Sequence, residues 1–375
     1  MKTIFGIVKK IFARLLGFEN KYISKVKGSN EWVYISYIPE VFYNSWNKKY
    51  MQGHQSRQEM IEMVKIFNKM GYNVFVSNFV HYSLPDINVK FVFGLEPGFI
   101  NASKKYFNAY KIYYATGAYY GHQNKMIIDR TDEFNNKHHF TYPYQRLVKT
   151  YDHLNYADRI LQIGSHYTVY TYPLKYQPLI STIHQSSTVA FDSNFEVLYA
   201  EMNEYIWIGG GGSILKGLDL IFDYFSMNTD KVVHIIGQID KEFLSIYEDI
   251  IGNNIHIHGY MNINSAEFKS IISRCNYLIY PSCTEGCPGA VISAMSYGII
   301  PVVSQWAAFD DIEDIGYLIE NLTCEGINKI VSKIENLDKE TVLLKKQICR
   351  KYVFETYNLQ RFSEEFTMYF KGINK

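Results

Sequence analysis

Two stretches in the second half of the chain hold residues whose types and spacing suit anion and hydroxyl chemistry. The first is Trp207-Ile-Gly-Gly-Gly-Gly-Ser-Ile-Leu-Lys-Gly217. A glycine loop between a strand and a helix lets backbone N–H groups approach a phosphate. The helix start adds partial positive charge and Lys216 a full one. Gly209, Gly211, Gly212 and Lys216 are therefore candidate phosphate ligands. The loop is neither a Gly-Lys-Ser/Thr nucleotide loop nor a Gly-x-Gly-x-x-Gly fingerprint followed by a suitable acid. The second stretch is Tyr280-Pro-Ser-Cys-Thr-Glu-Gly-Cys-Pro-Gly-Ala-Val-Ile-Ser-Ala-Met295. Glu285 falls on a loop after a strand, and Gly286 to Ala290 lead into a helix whose first amides point back at that loop. Such a site can hold a sugar by the carboxylate and a diphosphate by the helix end.

Other polar clusters read as structural. Asp310-Asp311 and Asp129-x-x-Asp132 have no further metal-ligand pattern around them, so no metal is expected. Cys283 and Cys287 lack a second Cys/His pair at zinc spacing. His256 and His258 alternate on a strand and read as packed side chains, and His138-His139 reads as a solvated loop. Five cysteines without regular spacing argue against a disulfide framework.

These residues need a scaffold, and the pattern supplies two. From Trp32–Tyr37 onward the first half alternates strands with helices. Ser56 and Glu59 read as a capping box opening a helix through Met60, Met63, Val64 and Phe67. Strands follow at residues 73–77, 89–93, 111–115 and 158–164. The rhythm restarts at Tyr205, with strands at 205–208, 232–236, 255–258, 277–280 and 299–304 and helices at 216–225, 266–274 and 289–297. The segment 177–203 reads as the linker. Alternation of this kind implies α/β architecture with parallel, doubly wound sheets, and a ligand in the cleft at the carboxyl ends of both.

The run Pro281-Ser282-x-x-Glu285-Gly286, Pro288, Ala294-Met295-x-x-Gly298-x-x-Pro301-Val302-Val303 resembles the donor-site signature of family 4 glycosyltransferases. The resemblance extends to Lys216-Gly217, Gly237 and His258-Gly259-Tyr260, over about residues 205–320. It implies the GT-B fold: two Rossmann-like domains facing across a cleft. It also implies a nucleotide-sugar donor on the second domain, an acceptor mainly on the first, and retention of anomeric configuration. Carried over by position, Glu285 would contact sugar hydroxyls and Lys216 would neutralise the diphosphate. The amides of Gly289 and Ala290 would reach phosphate, Tyr260 and Met261 would lie near the base, and Gly286, Cys287 and Pro288 would complete the loop. Two positions depart from the signature. Ser293 stands where a second Glu would touch the ribose, and Gly211 where an Arg would add charge. Family members often carry a first-domain His near the sugar; both His54, after Gly53, and His122, near Thr116-Gly117, are candidates, and a structural role is open for either.

The 375 residues carry 38 Lys+Arg against 37 Asp+Glu, a net charge of +1 that argues against a nucleic-acid partner. The balance is uneven. Lys2, Lys9, Lys10, Arg14, Lys21, Lys25 and Lys27 face only Glu19 in the first 27 residues, which hold +6, so the rest holds −5. Within residues 2–16, Ile4, Phe5, Ile7, Val8, Ile11, Phe12, Leu15 and Leu16 fall on one side of a helical wheel and the basic residues on the other. That is the pattern of a helix lying on an anionic membrane surface.

The sequence thus predicts four parts: a basic amphipathic helix (1–27), an acceptor domain (28–195), a nucleotide-sugar domain (196–355) and a C-terminal helix (356–375) returning to the first domain. The expected activity is hexosyltransferase-type transfer to a glycan or lipid-linked acceptor in cell-surface polysaccharide synthesis. It would be peripheral on the cytoplasmic face of the cell membrane and need neither metal nor cofactor. The alternative is a catalytically weak GT-B protein serving as partner or scaffold of an active transferase.

Overall fold

The computed structural model describes residues 20–192, 194–201 and 204–373. The first sheet has seven strands: β1 (Lys21–Ser24), β2 (Trp32–Tyr37), β3 (Asn73–Asn78), β4 (Val89–Gly94), β5 (Tyr110–Ala115), β6 (Arg159–Ile163) and β7 (Ile180–Ile183), in the order β1-β3-β2-β4-β5-β6-β7. All neighbours are parallel except β1, which runs antiparallel to β3. The second sheet is wholly parallel, with β8 (Glu204–Ile208), β9 (Val233–Ile236), β10 (Ile255–Gly259), β11 (Cys275–Tyr280), β12 (Ile300–Ser304) and β13 (Tyr317–Ile319) in the order β10-β9-β8-β11-β12-β13. Helices cover both faces, which is why central strands such as β8 and β11 are buried at every residue. Strand order reverses between β2 and β4 in one sheet and between β8 and β11 in the other. Ligands of open α/β sheets bind at such reversals, outside the carboxyl ends of the strands. Here those ends are Tyr37 on one side and Ile208 and Tyr280 on the other.

Three sequence expectations change. The expected helix 1–27 gives way to strand β1 at its end, because this stretch pairs with β3 and is tied to its surroundings: the Ser24 hydroxyl lies 2.5 Å from Asn68 Oδ1 on the helix Ser56–Lys69, and the Val26 amide donates to Asn73 Oδ1 of β3 at 2.8 Å. The amphipathic segment 2–16 lies outside the described residues. The expected linker 177–203 contains β7, which closes the first sheet. The capping box does not form. The helix spans Ser56–Lys69 with Gln55 as its cap residue, so Ser56 is already inside it. Its hydroxyl pairs with His54 Nδ1 at 2.7 Å, and Glu59 turns to Ser186 instead.

The two domains exchange elements. The helix Tyr120–His138 belongs to the first domain by sequence, yet its Phe134 and the following Tyr142 pack into the second domain's core with Phe243 and Tyr247. His138 stacks 4.5 Å from Phe134 rather than lying in a solvated loop. A buried ion pair anchors the contact, with Arg130 Nη2 2.5 Å from Asp219 Oδ2, and the exposed Lys137 reaches the buried Asp223 at 2.5 Å. In return, the C-terminal helix Leu359–Ile373 lays Phe362, Phe366 and Phe370 into the first domain's core against Phe67 and Phe93. Its Glu365 accepts from the His184 amide at 2.9 Å.

Removing one partner of a buried ion pair strands the other. Arg130→Leu should lower unfolding free energy by about 3–5 kcal/mol, measured by urea titration. The exposed Lys125→Leu on the same helix should change it by less than about 0.5 kcal/mol.

Candidate functional site

A cleft of about 850 Å³ lies between the domains. Its second-domain wall is made of two loops that touch. Gly217 adopts φ +67°, and a Cβ there would come 2.2 Å from the Pro281 carbonyl oxygen, so only glycine lets the loops meet. The Cys283 amide then donates to the Leu215 carbonyl at 2.8 Å. This closure sets Lys216 against Glu285. Lys216 Nζ lies 2.9 Å from Glu285 Oε1 and 3.1 Å from the Tyr280 hydroxyl, which donates to the same Oε1 at 2.7 Å. Burial and the Glu285 charge hold the Tyr280 phenol far above its usual pKa, so it stays a donor. Trp207 braces the Lys216 backbone, its Nε1 donating to the carbonyl at 3.1 Å.

Of the residues singled out from sequence, Gly209, Gly211, Lys216, Gly237, Tyr260, Met261, Glu285, Gly286, Cys287, Pro288, Gly289, Ala290 and Ser293 line this cleft, and His54 faces them from the first domain. Tyr260 is 76% exposed, with its ring free at the wall of the cleft. The Ser293 hydroxyl donates back to the Gly289 carbonyl at 2.7 Å. Burial, with the Arg57 charge nearby, keeps the His54 pKa below normal, so its ring is neutral near pH 7.

Gly212 is not bare. Its amide donates to Gln145 Oε1 at 3.2 Å, and a Cβ on it would meet Arg146 Cγ at 2.7 Å. His122 lies away from the cleft: its ring packs 4.6 Å from Trp306. The reason is helical phase, since His122 sits in the first turn of Tyr120–His138 and Gln123, one position on, takes the inward direction. The acidic pairs also have local partners. Asp129 pairs with Lys125, Asp132 accepts from the Tyr144 hydroxyl, Asp310 accepts from the His166 amide, and Asp311 from the Tyr352 hydroxyl.

Sequence reasoning missed several cleft residues. Arg146 comes from the irregular segment after the helix Tyr120–His138, where no periodicity singles it out. That segment is strapped to the second domain: the Tyr142 hydroxyl donates to Asp240 at 2.6 Å and Gln145 Nε2 to the same carboxylate at 3.3 Å. Across the cleft, Gln185 Nε2 donates to the Cys287 carbonyl at 2.8 Å, from within the segment read as a linker. Glu59 is buried at the cleft floor beside Tyr37 and Tyr114, accepting from the Ser186 amide at 2.6 Å and hydroxyl at 2.8 Å. Burial pushes its pKa up to about 7.

The fold is GT-B, two Rossmann-like domains facing across a cleft. Residues 205–337 match the family model described as Glycosyl transferases group 1. The sucrose-phosphate synthase of Thermosynechococcus elongatus superposes with a TM-score of 0.60 at 10% identity, over 92% of this chain and 99% of that one. HepE of Anabaena, in complex with UDP-glucose, gives 0.55 at 10% identity, over 91% and 99%. The lipopolysaccharide outer core galactosyltransferase WaaB gives 0.54 at 14% identity, over 91% and 99%. No curated protein sequence matches the chain. The match over residues 205–337 supports glycosyl transfer as the reaction class.

Glu59 carries a pH signature. Its folded pKa lies above its usual 4.5, so the native state binds more protons between about 4.5 and about 7. The stability it confers is complete below about 4.5 and is lost as pH rises through about 7. Thermal melts should therefore show the wild type losing about 3 kcal/mol across that window, and Glu59→Gln flattening the curve.

Proposed function

We propose that this protein transfers a sugar from a nucleotide-sugar donor to a glycan or lipid-linked acceptor, with retention of configuration, in cell-surface polysaccharide synthesis. The observation that carries the reading is the Lys216–Glu285 pair, 2.9 Å apart beneath the glycine loop. It sets a cation for a leaving diphosphate beside a carboxylate for sugar hydroxyls. The UDP-glucose held by HepE supports a nucleotide-sugar donor for the same fold.

The leaving group is a nucleoside diphosphate, and its charge grows as the bond from the sugar C1 to the phosphate oxygen breaks. Lys216, the loop amides and the start of the helix Gly289–Met295 oppose that charge. Arg146 adds to it. Gly211 adopts φ +63°, a conformation that disfavours the arginine expected there, and the cation reaches the loop from the first domain instead. The acceptor oxygen attacks C1 on the face the diphosphate leaves, and its proton passes to the leaving phosphate oxygen. No enzyme nucleophile and no metal is needed for that balance. Glu285, held by Lys216 and Tyr280, orients the donor sugar, and Tyr260 offers a ring to the base. Residues 2–16 would hold the enzyme on the inner face of the cell membrane, near lipid-linked acceptors.

With purified protein and a panel of UDP-, GDP-, dTDP- and CMP-sugars, one donor class should raise the melting temperature and support sugar transfer or slow donor hydrolysis. Lys216→Ala should lower turnover by about 100-fold or more without unfolding the chain. Full activity of both Lys216→Ala and Glu285→Ala would refute the assignment. For the membrane, flotation with anionic vesicles should recover the full chain but not one beginning at Asn20, which keeps β1; equal recovery would exclude residues 2–16 as the anchor.

A further inference from the structure

Away from the main cleft, a groove of about 740 Å³ opens where the chain crosses between the domains. A smaller cavity of about 170 Å³ adjoins it, and Val189, Phe191, Asp192, Phe195 and Arg350 border both. Neither shares a lining residue with the main cleft. One wall of the groove is the segment that leaves the first domain after β7, from Ser187 to Val197. The other is the end of the helix Lys339–Thr356 and the turn through Tyr357 to Leu359, which returns the chain to the first domain. An occupant would touch both crossings at once.

The groove is apolar, and the one buried charge on it is incompletely paired. Val189, Phe195, Val197, Phe354, Tyr357 and Leu359 give the hydrocarbon surface. Arg350 is 7% exposed. Its Nη2 donates to the Asp192 carbonyl at 2.7 Å, but its Nη1 is shielded from water and has no hydrogen-bond partner among the described residues. The rings of Phe191, Phe195 and Phe354 stand 5.3, 5.0 and 4.8 Å from the guanidinium carbon. They attract its charge but offer no oxygen to the free nitrogen. Asn264 borders the smaller cavity, and its Nδ2 is likewise buried without an acceptor among the described residues. An unpaired buried donor is costly, and more so when it is charged. Two beside one void call for an acceptor that the chain itself does not supply.

The lining also defines the occupant. Arg350 and Lys269 bring positive charge to the smaller cavity. The acids at the rim are engaged locally: Asp192 accepts from the Asn194 amide at 3.0 Å, and Glu355 lies 3.8 Å from Lys351. The head group is therefore an anion, and two free donors match the two oxygens of a carboxylate. The phenylalanine and valine walls ask for hydrocarbon behind it. Phe191, 66% exposed, stands over the guanidinium and is free to turn aside for a chain to enter. The chain's own segment 2–16 is a poor candidate, because its basic face would meet Arg350 with like charge. We propose that this groove at the domain crossing binds a long-chain fatty acid, with the carboxylate on Arg350 and Asn264 and the hydrocarbon along Phe195, Phe354 and Leu359. The site stands apart from the glycosyl-transfer reading and does not depend on it.

The test is isothermal titration calorimetry on the full chain with dodecanoate below its micelle concentration, beside dodecanol, dodecyl phosphate and acetate. Dodecanoate should bind one per chain, at least tenfold tighter than dodecanol or dodecyl phosphate, and acetate should give no binding heat. Arg350→Gln should raise the dodecanoate Kd tenfold or more. Should that variant fail to fold, the exposed Gln347, one helical turn before Arg350 on the same wall, carries the test. Gln347→Glu should raise the Kd threefold or more and Gln347→Lys should lower it, with thermal melts matching the wild type. No binding of dodecanoate would overturn the proposal, as would an unchanged Kd in folded Arg350→Gln or in both Gln347 variants. Dodecanol binding as tightly would leave only a non-selective apolar groove, and dodecyl phosphate binding more tightly would refute the carboxylate. Binding to a chain beginning at Asn20 but not to the full chain would give the groove to residues 2–16 and refute the proposal too.

Discussion

The cleft depends on how rigidly the two domains are held, and that depends on the buried pair Arg130–Asp219. Both groups are taken from water and lie 2.5 Å apart, with Glu133 holding the other guanidinium nitrogen of Arg130. The pair ties a first-domain helix to the second domain at a fixed angle. From that helix the chain runs on through Tyr142 and Gln145, both bonded to Asp240, and so delivers Arg146 over Gly212. Without this docking the glycine loop would lose Arg146 as its neighbour.

The second constraint is proximity. Lys216 and Glu285 lie on separate loops after separate strands, and they meet because Gly217 lets Pro281 approach and because β8 and β11 are neighbours at the point where strand order reverses. At the seam between the domains, Gly286 does the same against Thr116. The chemistry of the site is thus a product of sheet order and of two missing side chains more than of any single charged group. Lys216 and Glu285 satisfy one another, so neither bears the full cost of a buried lone charge.

Much of this was legible in the sequence. Strands of these sheets are short apolar or alternating runs bounded by turn residues, and β2 to β6 and β8 to β12 stand out that way. Lys216 and Glu285 were legible too as cleft residues, because they occupy short local patterns whose geometry follows from strand, loop and helix. What was hidden was non-local. Glu59 fitted a capping pattern, but the helix begins one residue earlier than that pattern requires, and the carboxylate finds Ser186 far along the chain. β7 and Gln185 sat in a polar stretch with little periodicity. Arg146 is brought to the glycine loop by domain docking, for which a single sequence carries no periodic signal. His122 failed by one position of helical phase.

The exchange of helices also settles which body carries the molecule's attachments. Strand β1 and the helix Leu359–Ile373, the two outermost described elements, both pack on the first domain. A tag, tether or surface joined beyond either of them therefore grips the same half of the protein. The second domain is held only by internal connections, so immobilising the chain by either end would leave that domain unattached to the support.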